Sequence, residues 1–163
     1  MKLKPVYVAR FHYPRAEGVR LTGKNGTEEQ RYYTVEGTCE GEITGTLSGV
    51  NHPHRRTDGT FQLNMQGVVR TKDSAVIMLD YRGFGGSHRP VDSKPRKGFG
   101  NVLPVVGFAR HLSESPKYGW LNDRVCGVVG EVRIPEGLSP ETVKPTDLSL
   151  VFSVAELVWE PVE

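Results

Sequence analysis

The chain has little cysteine, no long apolar run and no surplus of either charge. Cys39 and Cys126 are its two cysteines. Two thiols cannot build a disulfide framework. The opening Met1-Lys2-Leu3-Lys4-Pro5 lacks the apolar core of a signal peptide, so both are expected to be reduced, buried packing groups. No apolar stretch approaches the length that spans a bilayer. Twenty-one Lys and Arg against nineteen Asp and Glu leave a net charge of +2, so no global field favours DNA, RNA or an acidic membrane. The expectation is a soluble cytoplasmic protein without nucleic-acid or membrane partners.

Turn formers, by contrast, are abundant. Nineteen Gly and eleven Pro are spread along 163 residues, which suits many short strands joined by turns better than a helical bundle. The length fits one domain over residues 1–163. Strands are predicted at Val6–Tyr13, Arg31–Glu36, Phe61–Arg70, Ala75–Arg82, Leu103–Leu112, Val125–Ile134 and Leu148–Trp159. Residues 17–29 are polar and read as a loop or hairpin tip, with Gly23 and Asn25-Gly26 as turn signals. Gly37, Gly41, Gly45 and Gly49 recur every fourth residue. On a single strand they share a face with Cys39, Ile43 and Leu47, and such spacing lets a barrel strand bend. One short helical turn is expected near 114–121, where Ser113-Glu114-Ser115-Pro116 offers a cap. The fold class read from this is all-β: a single antiparallel barrel of about eight strands.

The densest chemistry lies between Asn51 and Gln66. His52-Pro53-His54 with Asp58 invites a metal reading, but no second ligand motif follows downstream and Arg55-Arg56 would set two cations beside the ion. Neither a metal nor any other cofactor is expected. Arg55 and Arg56 read instead as a clamp for a carboxylate or polarised oxygen, or as solvated loop charges. Gln62, Asn64 and Gln66 alternate with Phe61, Leu63 and Met65. The amides face either water or a ligand in the lumen. Glu156 shares a strand face with Leu150, Phe152 and Val154. Burial there would make it a general acid or base, unless an arginine such as Arg110 pairs with it. Gly83-Phe84-Gly85-Gly86 lacks the following Lys-Ser/Thr and helix of a phosphate loop, and no Gly-x-Ser-x-Gly elbow is present.

Four segments taken together resemble a known family: Gly-Thr-Cys-Glu-Gly-Glu-Ile-Thr-Gly-Thr (37–46), Arg-Thr-Asp-Gly-Thr-Phe-Gln-Leu-Asn-Met-Gln-Gly-Val-Val-Arg-Thr (56–71), Tyr-Gly-Trp-Leu-Asn (118–122) and Val-Ala-Glu-Leu-Val-Trp-Glu (154–160). They resemble the small β-barrel family known as domain of unknown function 3237, over nearly the whole chain. The resemblance implies an antiparallel barrel with a central cavity and a family largely without an assigned reaction. Family members carry an Asp-Trp where this chain has Asn51-His52-Pro53-His54. They carry a Leu-Asp-x-Arg-Tyr pattern where it has Leu63-Asn64-Met65-Gln66-Gly67. The comparison sets Asn64 and Gln66 where an acid and a base would stand, and favours both facing the lumen.

These readings combine into a barrel that binds a small hydrophobic or aromatic metabolite with a polar handle. One version is a cofactor-free isomerase, cyclase, hydratase or lyase. His52 and Glu156 would move protons in it, and Arg55, Arg56, Asn64, Gln66 and Arg110 would orient the substrate. Tyr118, Trp120 and Asn122 would close one rim. The alternatives are a non-catalytic carrier or sensor, and a structural dimerisation module with a filled barrel. A homodimer is the expected assembly.

Overall fold

The computed structural model describes residues 2–58, 60–86, 99–139 and 142–161. The described residues form ten antiparallel strands in one sheet: β1 (Lys2–His12), β2 (Ala16–Gly23), β3 (Gly26–Gly41), β4 (Gly45–Asn51), β5 (His54–Arg55), β6 (Phe61–Thr71), β7 (Val76–Gly85), β8 (Phe99–Leu112), β9 (Val125–Pro135) and β10 (Ser149–Val158). The order β1-β10-β9-β8-β7-β6-β4-β3 closes on itself because β1 also pairs with β3. Eight strands therefore make the barrel, as expected, and β2 and β5 extend it beyond one end. Two 3-10 turns are present, Gly119–Leu121 and Pro145–Asp147. The first falls within the helical turn expected near 114–121. The basic, Pro-rich segment 87–98 lies outside the described residues.

The glycine-rich segment is not one strand. It turns at residues 42–44, so Gly37 and Gly41 lie on β3 and Gly45 and Gly49 on β4. Ile43 at the turn is fully buried, so the inward alternation continues around the corner and imitates a continuous strand in sequence. The glycines do allow close approach. A Cβ on Gly37 would overlap the Arg10 carbonyl oxygen, and one on Gly49 the Gln66 carbonyl oxygen. Gly83 and Gly107 stand opposite each other on β7 and β8 in the same way.

Residues 17–29, read as a loop or hairpin tip, are the paired arms of the β2–β3 hairpin around Asn25. Here polar composition gives way to register: the inner arm carries a face that continues the barrel lining outward.

The lumen is filled. Tyr33 lies tilted against Tyr13 with ring centres 4.6 Å apart, Phe11 meets Phe152 edge-on at 4.9 Å, and Tyr81 lies 5.8 Å from Phe152. Below them the Tyr7 hydroxyl bonds the Tyr81 hydroxyl at 2.6 Å and His111 Nε2 at 2.8 Å. Aromatic side chains thus occupy the central cavity that the family resemblance implies. Cys39 and Cys126 are both buried and unpaired. Burial pushes their thiols up to about 12 and about 11, with Glu156 adding to the second, so neither is a thiolate at neutral pH. No helix of the described residues is long and apolar enough to cross a membrane.

Two tests follow from this packing. Gly107→Ala should cost about 2 kcal/mol or more in denaturant unfolding, because the new methyl meets backbone of β7 rather than a side chain that can yield. Gly23→Ala, with open space and an ordinary φ, should be neutral. Equal costs at the two sites would contradict the close-approach account. Burial also depresses His111 from 6.5 to about 4, so it is neutral in the fold. The unfolded chain binds this proton between those values and the native state does not. Stability should therefore fall on acidification from pH 6.5 to 4, by up to about 1.4 kcal/mol per pH unit from this group. Urea midpoints of His111→Gln should show a shallower acid slope than wild type; parallel slopes would contradict it.

Candidate functional site at the barrel mouth

The β2–β3 hairpin leaves the barrel wall where β1 ends and leans over one opening. Register then determines which side chains meet there. Arg20 of β2 is paired with Glu29 of β3, Glu29 with Arg55 of β5, and Arg55 with Phe61 of β6. Directly opposed residues in antiparallel strands present their side chains to the same face. One cross-strand row therefore places two arginines on either side of a carboxylate, with an aromatic ring at its end. Two residues further along the inner face of β3, Arg31 joins the row. Gly18 stands across from it, and its missing side chain leaves room for the Arg31 stem.

Glu29 is the pivot. It is only 7% exposed, and buried carboxylates require partners. Arg31 donates from Nε at 2.7 Å, Arg20 Nη2 lies at 3.3 Å and Arg55 Nη1 at 3.6 Å. Burial alone would push the Glu29 carboxyl up, but Arg31 and Arg20 outweigh it and hold it below the ordinary carboxylate range. Arg31 Nη1 also donates to the Tyr33 hydroxyl at 2.6 Å. The Arg31 and Arg55 guanidinium groups lie 5.4 and 5.6 Å from the centre of the Phe61 ring, within cation–π range. Leu103, Ile134, Val143 and Leu148 complete the opposite wall of a cleft of about 610 Å³. Three guanidinium groups surround the buried Glu29, and Glu17, which also lines the cleft, is paired with Arg15, so the cleft is cationic and its other side is apolar.

Arg55 is the one residue of the sequence-derived set that the cleft contains. Arg56 points out of the loop to Asp58 at 3.7 Å and is half-exposed. His52, Asn64 and Gln66 lie on the outer wall, because Asn51, Leu63, Met65 and Gly67 take the inward positions of β4 and β6. The lumen-facing expectation for Asn64 and Gln66 is thereby corrected. His52 packs edge-on against Tyr32 at 4.8 Å, and its neighbour Asn51 is buried, donating from Nδ2 to the Tyr13 hydroxyl at 3.0 Å. Arg110 is also on the outer wall, paired in register with Asp80. It does not reach Glu156, whose cationic partner is Arg124 at 3.3 Å.

Glu156 sits at the other end of the barrel, beside Cys126 of β9. That end is closed by residues 113–122. Asn122 holds the segment through Ser113 N–H to Oδ1 at 2.8 Å and Nδ2 to the Ser113 carbonyl at 2.9 Å. Tyr118 is buried with its hydroxyl on Asp73, and Trp120 packs partly buried with the Lys4 ammonium 5.8 Å above its ring. Tyr118, Trp120 and Asn122 thus close the end away from the arginine cleft. His52 and Glu156 do not share a site. Among the described residues no group of three His, Cys, Asp or Glu side chains is arranged to hold a metal.

Sequence reasoning missed Arg20, Glu29, Arg31, Tyr33 and Phe61 as a set. The signal was present: stepping back by twos from Cys39 through Gly37, Val35, Tyr33 and Arg31 to Glu29 follows the buried face of β3.

A closed antiparallel barrel with a packed lumen and a cationic, aromatic mouth defines the class of protein. The chain belongs to the family described as protein of unknown function (DUF3237), whose model matches residues 1–143. Its fold is shared with a β-barrel-like protein of Acinetobacter baumannii AYE (TM-score 0.68, 19% identity, 95% of this chain and 94% of the other). A conserved protein of unknown function from Rhodopseudomonas palustris is also similar (0.65, 18%, 96% and 97%). An enzyme from Penicillium herquei shares the fold more distantly (0.55, 17%, 94% and 93%). Comparison with curated protein sequences gives no match.

Replacing Glu29 by Gln should lower the melting temperature and make it rise more with added sulfate than in wild type, since three arginines lose their counter-ion. An unchanged melting temperature with no added sulfate response would contradict the pivotal role of Glu29.

Proposed function

We propose that the barrel mouth binds a small organic anion with an apolar or aromatic body. The observation that carries this is the row Arg20-Glu29-Arg55-Phe61 facing an apolar wall in a cleft of about 610 Å³, a size that suits a small ligand. Glu29 holds the guanidinium groups in place before a ligand arrives. Arg31 is committed to Glu29 and Tyr33 and acts as a positioning residue. Arg55 makes an ion pair but no side-chain hydrogen bond among the described residues, so its donors are free for a carboxylate or phenolate. Phe61, Leu103 and Leu148 receive the body of the ligand.

This reading favours binding over acid–base turnover. A carboxylate kept ionised by guanidinium groups is a weak base, and His52 and Glu156 both lie away from the cleft. Turnover at this mouth would instead stabilise an oxyanion through the arginines. That is the form in which relatedness in fold to an enzyme would extend to this chain.

Calorimetry against a panel of aromatic and aliphatic carboxylates tests the proposal, with product analysis by NMR for turnover. Binding is expected in the micromolar to millimolar range. Arg55→Ala should weaken it about tenfold or more with little change in melting temperature. No binding across the panel, or an Arg55→Ala variant that binds as wild type does, would overturn it.

A further inference from the structure

We infer that the ligand carries, besides its anionic group, a second oxygen that accepts a hydrogen bond from the Tyr33 hydroxyl, as the carbonyl of an oxo acid would. The inference rests on the anion-binding reading above and specifies its substrate class.

Tyr33 is 5% exposed, yet it lines the floor of the cleft. Its ring is immobilised against Tyr13 at 4.6 Å, and its register partners are Ala16 of β2 and Asn51 of β4. The phenolic oxygen already accepts from Arg31 Nη1 at 2.6 Å. A phenol is both acceptor and donor, and among the described residues nothing accepts its proton. That proton remains in place: burial pushes the Tyr33 hydroxyl up, against the opposing effect of Arg31. Buried hydroxyl donors are otherwise paired in native proteins, so this one is met in the cleft by water or by a ligand oxygen that displaces it.

Arg31 fixes where that acceptor lies. Its Nε is on Glu29 and its Nη1 on Tyr33, so one guanidinium group connects the anion-binding row to the phenol. A ligand whose carboxylate meets Arg55 across Glu29 therefore presents its next few atoms toward Tyr33. A carbonyl there is bound by a donor that a plain fatty or aryl acid leaves unused. The same donor would steady an enolate oxygen, should that carbonyl enolise, with no change of its own protonation.

Two matched pairs test this by calorimetry: 3-phenylpropanoate against its 2-oxo derivative, phenylpyruvate, and 4-phenylbutanoate against 4-oxo-4-phenylbutanoate. At least one oxo acid should bind about fivefold tighter than its parent, the contribution of one neutral hydrogen bond. Tyr33→Phe should abolish that preference, the ratio of oxo acid to parent acid falling to about one within the variant whatever its affinity for the parent acid. Equal binding of parent and oxo acid in both pairs overturns the inference and leaves the anion reading standing, as does a preference that survives in Tyr33→Phe. Failure of all four acids to bind overturns the anion reading and this inference with it. Equal binding in both wild-type pairs is decisive without the variant.

Discussion

Closure of the barrel along the seam between β1 and β3 is the constraint from which the rest follows. β1 must pair with β10 on one side and β3 on the other, and its side of the seam is tight enough that Gly37 and Gly41 leave no space for a side chain against β1. Closure gives the sheet an inside and two ends. It also gives β3 two roles, because residues 36–41 complete the wall whereas its first eight residues continue past it, paired with β2. A strand that satisfies its hydrogen bonds with a hairpin partner need not stop at the rim. The alternation that buries Cys39 and Val35 inside the barrel then brings Arg31 and Glu29 over the opening.

The charges at that opening follow from geometry rather than from net composition. A chain with almost balanced charge nonetheless concentrates Arg20, Arg31 and Arg55 around the buried Glu29 carboxylate, because three strands present those positions in adjoining rows. The carboxylate counters part of the mutual repulsion of the guanidinium groups, and the Phe61 face contributes a weaker attraction. An anionic ligand would complete the neutralisation, which makes the arrangement cationic without making it unstable.

Much of this was legible in the chain. The glycine and proline distribution, the short apolar alternations and the turn signals gave an antiparallel barrel with nearly correct strand positions, and Arg55 was among the residues named, paired there with Arg56 as a clamp or as solvated loop charges. Two things were not legible, for physical reasons. The inward alternation of residues 37–49 runs through Ile43 without a break, so period-two patterning could not reveal the turn at 42–44. The polar sequence 17–29 could not be told from a loop either. Its strands lie over the mouth and do not wrap a core, so their inner face is charged. The conspicuous cluster at residues 51–66 drew interest to His52, Asn64 and Gln66. Their neighbours Asn51, Leu63 and Met65 take the inner positions, and a single-residue offset in a strand moves a whole set of side chains to the other face.

A filled lumen changes what diversification of this fold can alter. In a hollow barrel, wall residues all along the strands would shape the ligand. Here Tyr7, Tyr81, Phe11 and Phe152 pack the interior, and substitutions among them act on stability. The cationic cleft lies at the rim, where β5, the start of β6 and the β2–β3 hairpin meet. That division separates the two demands on the chain. The core can remain dry and rigid while short segments at one end exchange charges and rings. The Asn51–Gln66 segment contributes both Arg55 and Phe61 to that rim, so substitutions within it can change the charge and the ring presented to the cleft. Its histidines and amides, which carry the obvious chemistry, face outward. Two less conspicuous residues, an arginine and a phenylalanine paired across β5 and β6, connect it to the cleft.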